Sequence, residues 1–178
     1  QRTKSSPMGS GDRPVNPLSF ALGCNATFVA RTYDTNMQHM NGILEAAALH
    51  KGTSFVEIYQ NCVIFNDACF EDIVEKSVRD DRTIDLRPGQ PLVYGKEHDK
   101  GIRVDGFELN TSAAAEATVW NPTVASSGPA YTMAMMDQDP DLPNPIGIFR
   151  AVEATTFDSA INEQVTVARE KKGAGKLE

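Results

Sequence analysis

Cysteine is scarce in this sequence: Cys24, Cys62 and Cys69 are too few and too oddly numbered for the disulfide framework of a small secreted domain. No two of them stand at Cys-x-x-Cys spacing, and three thiolates cannot complete a four-thiolate iron–sulfur centre, so any such centre needs ligands from elsewhere. Long apolar runs are absent too. Thr27–Ala30 and Ala46–Leu49 fall far short of the roughly 20 residues that cross a bilayer, so no membrane span is predicted, and the opening residues from Gln1 show no signal peptide. Positive charge is in deficit, with 17 Lys and Arg against 24 Asp and Glu, which excludes nucleic acid as a partner because phosphate binding needs clustered cations. No GxSxG elbow, Walker loop or strand-linked GxGxxG occurs, which removes the free-standing hydrolase, nucleotide-phosphate and Rossmann classes. The three histidines do not cluster: His39 and His50 sit at opposite ends of one predicted helix and His98 at a hairpin tip, all expected at the surface. Asp80-Asp81 and the Asp137–Asp141 stretch lack calcium-loop spacing and read as solvated loops. Asn25-Ala26-Thr27 and Asn110-Thr111-Ser112 match the glycosylation sequon, but nothing else points to secretion, and a reducing, cytoplasmic location is expected.

What is present is an ordinary globular composition, 40% hydrophobic and 23% charged, enough for one packed core. Ser, Gly and Pro crowd the stretch from Ser5 to Pro17, a loop that leads to a helix entered at Asn16-Pro17. Thr27–Tyr33 has the β-branched and aromatic character of a strand. Met40, Ile43, Leu44, Ala47 and Ala48 repeat at helical spacing before Gly52, and Ser54–Tyr59 makes a second strand. Strand, helix and strand in this order predict a βαβ unit and an α/β fold with a mostly parallel sheet flanked by helices. Asn66 or Asp67 is placed to cap a helix through Phe70, Ile73, Val74 and Ser77, with Glu75–Arg82 as its solvated end. Leu92–Gly95 and Gly101–Phe107 predict a small hairpin closed around Lys96–Lys100, followed by a short helix at Tyr131–Met136. A third strand at Ile146–Val152, a helix carrying Phe157, Ile161, Val165 and Ala168, and an exposed basic tail over Lys171–Glu178 end the chain. The expected division is 1–86, 87–144 for the hairpin and loop appendage, and 145–178.

The residue pattern singles out Cys62. It lies in Gln60–Asp67, just beyond the C-terminal end of the second strand, where α/β sheets gather functional loops, and a thiolate there can bind a metal or act as a nucleophile. The bland alternative is a small buried apolar residue, and that reading is assigned to Cys24 and Cys69. No catalytic residue is evident.

The block Glu57-Ile58-Tyr59-Gln60-Asn61-Cys62-Val63-Ile64-Phe65-Asn66-Asp67 closely resembles the β subunit of 2-oxoacid:ferredoxin oxidoreductases, most of all the 2-oxoglutarate type. Thr3-Lys4-Ser5-Ser6-Pro7, Asn16–Ser19, Ala26–Arg31 and Pro145–Arg150 resemble the same family in the same order. The resemblance implies that this chain is the C-terminal part of a thiamine diphosphate-binding domain, with residues 1–86 contributing the cluster loop. It implies that Cys62 is one of four thiolates on a [4Fe–4S] cluster; from their adjacency alone, Asn61, Asn66 and nearby amides are expected to hydrogen-bond the cluster sulfurs. The family's Gly-Asp-Gly element, which holds Mg2+ and the diphosphate, has no counterpart here, so those groups and the other thiolates are expected on the N-terminal half of the β subunit.

The implied reaction is oxidative decarboxylation of a 2-oxoacid, with the acyl group passing to coenzyme A and electrons to ferredoxin. An α or fused γα subunit is the further implied partner. A pyruvate or branched-chain enzyme of the same superfamily, and a non-catalytic α/β interaction domain with Cys62 buried, are the competing readings.

Overall fold

A computed structural model describes residues 7–9, 11, 14–173 and 175. The resemblance at Thr3–Ser6 lies outside them, as do Ser10, Asp12 and Arg13 of the entry loop and Ala174 and Lys176–Glu178 of the basic tail.

Local sequence starts the first helix, α1 (Pro17–Gly23): the Asn16 side chain accepts from the Ser19 amide at 2.9 Å, and Pro17 occupies the position where a missing donor is harmless. Its Leu18, Ala21 and Leu22 face inward. Strand β1 (Phe28–Tyr33) follows, buried at every residue. Asn36 caps α2 (Met37–Leu49), which crosses over to β2 (Ser54–Tyr59), parallel to β1 from Phe28 opposite Ser54 to Tyr33 opposite Tyr59. This is the predicted βαβ unit.

The predicted single helix after the loop is instead two one-turn helices, α3 (Glu71–Val74) and α4 (Arg79–Arg82). Glu75, at φ −56° and ψ 133°, leaves helical geometry between them, and Phe70 gives α3 no side-chain cap. Strand β3 (Thr83–Leu86), unforeseen among charged residues, comes next. Then β4 (Val93–Tyr94), β5 (Lys100–Asp105) and β6 (Glu108–Ala113) form an antiparallel sheet, its last turn made at Gly106 with φ 64°. The β6 strand also went unforeseen, because its residues alternate polar and small with little burial. The chain closes with α5 (Gly128–Ala134), a 3-10 turn at Met136–Gln138, β7 (Asn144–Ala151) and α6 (Phe157–Lys172).

The main sheet runs in the order β2-β1-β7-β3. Two of its three pairings are parallel and one, β1 with β7, is antiparallel with a bulge between Val29 and Ala30. Its two faces carry different cores. Val29, Ile84, Leu86 and Phe149 pack with α1, α5 and Trp120 on one side, and Phe28, Ala30 and Ile43 form a smaller cluster beneath α2. Leu92 and Ile102 join the larger cluster, so the small sheet shares its core with the main one. No helix among the described residues is long and apolar enough to cross a membrane.

At the junction of β7 with β1 and β3, Gly147 adopts φ +92°. A Cβ there would stand 2.5 Å from Asp85 Oδ1 and 2.8 Å from the Leu86 amide nitrogen, backbone that has nowhere to move. Gly147→Ala is therefore expected to lower stability by about 3 kcal/mol, seen as a reduced urea midpoint, whereas the same change at exposed Gly42 leaves it unchanged or raises it.

Candidate functional site: the Cys62 loop

Residues 60–70 leave the C-terminal end of β2 and return as a closed loop. The Asn66 amide donates to the Cys62 carbonyl at 2.9 Å, making a tight turn with Cys62 and Asn66 paired across its base. Asn61 fastens the next layer: its Nδ2 donates to Asp67 Oδ1 at 2.9 Å and its Oδ1 accepts from the Ala68 amide at 2.9 Å. That bond holds Ala68 in the left-handed region at φ 61°, which turns the chain back toward α3. At the foot of the loop the rings of Tyr59 and Phe70 stack with centroids 4.3 Å apart and planes 9° apart.

Tyr59 is anchored in turn by Arg31, whose guanidinium carbon lies 4.8 Å from the ring centroid. Arg31 is 1% exposed in the middle of β1. It donates from Nε to Glu57 on β2 at 2.7 Å, from Nη2 to Asp137 at 2.9 Å and from Nη1 to Asn144 Oδ1 and the Pro145 carbonyl, both at 3.3 Å. Burial opposes the charge, but Tyr59, Glu57 and Asp137 outweigh it and raise the Arg31 pKa, so the group stays charged. Burial also pushes the Tyr59 hydroxyl up to about 12, keeping it a neutral partner to Asn144. Sequence reasoning passed over Arg31; the signal was a lone charge inside an otherwise strand-like run.

Cys62 itself is exposed in this chain. Cys24 is exposed and Cys69 half-buried, so the expectation of buried cysteines fails. Cys24 follows α1 at its solvent-facing end, where no element covers it. The Cys62 thiol is drawn below its ordinary range by backbone N–H groups of Phe65 and Ile64, with a smaller contribution from Asn66. Asn66 thus reaches the sulfur through its backbone, and Asn61 shapes the loop that presents it. Around the thiol, Val63, Ile64 and Phe65 are 72%, 82% and 79% exposed, an apolar crown open to solvent.

The histidines lie elsewhere. His39 and His50 are half-buried rather than superficial, because Thr32 Oγ1 meets His39 Nδ1 at 2.8 Å and Thr27 Oγ1 meets His50 Nε2 at 2.9 Å. His39 borders a cleft of about 650 Å³ beside α2, β3 and β4, with Tyr33, Arg79, Asp85 and Arg87. Its Nε2 lies 3.3 Å from Asp85, which also accepts from Arg87 at 2.6 Å. Burial favours the protonated Asp85, but the His39 and Arg87 contacts hold its pKa below the usual carboxylate range. Its nearest charges are thus already paired within the protein.

Among the described residues no three His, Cys, Asp or Glu side chains gather to hold a metal ion. An accessible sulfur with backbone N–H groups beside it has the chemistry that a single cluster ligand needs.

Fold and loop together define an α/β chain presenting an exposed thiol at a strand end. No protein-family model matches the chain. It is 39% identical to 2-oxoglutarate oxidoreductase subunit KorB of Mycobacterium tuberculosis, covering 97% of this chain and 48% of that one. It is 39% identical over 67 residues to subunit beta of 2-oxoacid:ferredoxin oxidoreductase 1 of Aeropyrum pernix, 38% of this chain and 21% of that one. The corresponding figures for the 2-oxoacid:ferredoxin oxidoreductase subunit beta of Saccharolobus solfataricus are 32% over 77 residues, 43% and 25%. The chain is thus similar along nearly its whole length to one such subunit and spans about half the length of that KorB relative. Its fold is shared with the solved 2-oxoglutarate:ferredoxin oxidoreductase from Magnetococcus marinus with 2-oxoglutarate, coenzyme A and succinyl-CoA bound. The TM-score is 0.57 at 19% identity, over 98% of this chain and 45% of that one.

The amide donors make a measurable statement about the sulfur. In cluster-free protein, alkylation of Cys62 by iodoacetamide, followed by peptide mass spectrometry, is expected to rise with pH through a midpoint below that of an ordinary exposed thiol. A midpoint at or above the ordinary value would mean that the loop does not stabilise the thiolate.

Proposed function

We propose that the chain is part of the β subunit of a 2-oxoglutarate:ferredoxin oxidoreductase. The complex catalyses coenzyme A-dependent oxidative decarboxylation of 2-oxoglutarate, or the reverse carboxylation, with electrons leaving through a [4Fe–4S] cluster to ferredoxin. The single observation that supports this reading is the exposed, amide-stabilised Cys62 thiol at a strand end, in a chain related along nearly its whole length to a 2-oxoglutarate oxidoreductase subunit.

When bound, thiamine diphosphate with Mg2+ supplies stabilisation of the acyl carbanion, and the cluster supplies one-electron steps. In this reading Cys62 Sγ would hold one iron of the cluster. The N–H groups of Ile64 and Phe65 beside that sulfur would withdraw electron density from it. Val63, Ile64 and Phe65 exclude water from the neighbourhood once covered. Asn61 keeps the turn in shape through Asp67 and Ala68. The other thiolates and the Mg2+–diphosphate site belong to the N-terminal half of the subunit. An α or fused γα subunit, ferredoxin, the 2-oxoacid and coenzyme A complete the set of partners, in the cytoplasm.

The relatives from Aeropyrum pernix and Saccharolobus solfataricus are named for 2-oxoacids in general, and they favour a second reading with a broader substrate range that includes pyruvate and branched-chain acids. A substrate panel on the intact complex separates the two.

The deciding experiment is electron paramagnetic resonance with iron and sulfide analysis on the anaerobically purified complex, comparing wild type with Cys62→Ala. The expected result is loss of the reducible [4Fe–4S] signal and of ferredoxin reduction; an unchanged signal would reduce the loop to scaffold.

A further inference from the structure

The geometry points to Phe70 and Tyr59 as positioning residues for the Cys62 thiolate: their stacked rings clamp the two ends of the loop and fix where the sulfur stands relative to the sheet. This inference rests on the reading of Cys62 as a cluster ligand.

Bonds inside the loop set its shape but not its place. The Cys62–Asn66 turn and the Asn61–Asp67–Ala68 bonds join loop residues to one another, so they survive a rigid swing of the whole unit. Placement must come from contacts between loop ends and sheet. Tyr59 is the last residue of β2, and Phe70 immediately precedes α3. Their rings are near parallel at 4.3 Å, closing the 59–70 segment at its foot. Tyr59 is itself fixed from the core, with Arg31 4.8 Å from its ring. Val63 and Ile64, 72% and 82% exposed, are too exposed to hold the loop against its own sheet. The ring pair is thus the link that carries the rigidity of the Arg31 network outward to the sulfur.

A cluster held by three fixed thiolates and one loosely placed thiolate is primed to lose an iron. On treatment with ferricyanide, a [4Fe–4S]2+ cluster gives up one electron to the oxidant and releases one Fe2+, leaving [3Fe–4S]+, and the iron that leaves is the one whose ligand yields most easily. The test is made on the full anaerobic complex with wild type, Phe70→Ala, Phe70→Leu, Phe70→Tyr and Cys62→Ala. Aromatic pairs of this geometry bias a local opening by about ten-fold. Phe70→Ala, and Phe70→Leu which keeps apolar bulk but removes the flat ring, are expected to raise the initial rate of [3Fe–4S]+ formation by about that factor. Amide hydrogen exchange over 61–68 should accelerate in parallel in both, and Phe70→Tyr should restore both readouts. Wild-type conversion and exchange in Phe70→Leu, in a complex whose cluster is lost in Cys62→Ala, would overturn the positioning role alone. Retention of the wild-type cluster in Cys62→Ala would overturn the ligand reading beneath it.

Discussion

The buried guanidinium of Arg31 is the constraint on which the rest of this structure depends. A charge at 1% exposure in a central strand is tolerated only because Glu57, Asp137, Asn144 and the Pro145 carbonyl surround it with acceptors. Those acceptors come from β2, the 3-10 turn after α5 and β7, so one side chain ties together elements distant in sequence. Removing one partner from such a network costs about 3–5 kcal/mol, because the other charges are left buried and uncompensated. An apolar residue at this position would pack β1 but would set no register between β2 and β7.

From that centre, order runs outward to the loop. The stack of Arg31, Tyr59 and Phe70 holds the foot, Asn61 shapes the middle, and the tip carries an exposed thiol facing amide donors. Sheet ends suit this arrangement because the strand provides rigidity while the loop backbone is free to turn its N–H groups toward an anion. The loop tip combines an open apolar crown with an exposed thiol, and the chain spans about half the length of its KorB relative.

Much of this was legible in the sequence where the determinants are local. Asn16-Pro17 marks α1, the Met40–Ala48 spacing marks α2, and the strand-like runs at β1, β2 and β7 fall where expected. Long-range determinants were not legible. The antiparallel placement of β7 against β1 follows from how the 87–144 segment packs, and β3 is four residues hidden beside Arg79–Arg82. Arg31 meets Glu57 and Asp137 at separations of 26 and 106 residues, which no window of sequence reveals. Cys62 stood out through the block around it; the amides that lower its pKa and the exposure of Cys24 and Cys62 needed the folded chain.

The most direct measurement of the central claim is iron-edge anomalous diffraction from crystals of the intact complex. The account predicts an anomalous peak at bonding distance from Cys62 Sγ, with the 60–70 loop in the conformation described and the Tyr59–Phe70 stack intact. A cluster ligated entirely by other residues, with Cys62 Sγ free, would contradict it.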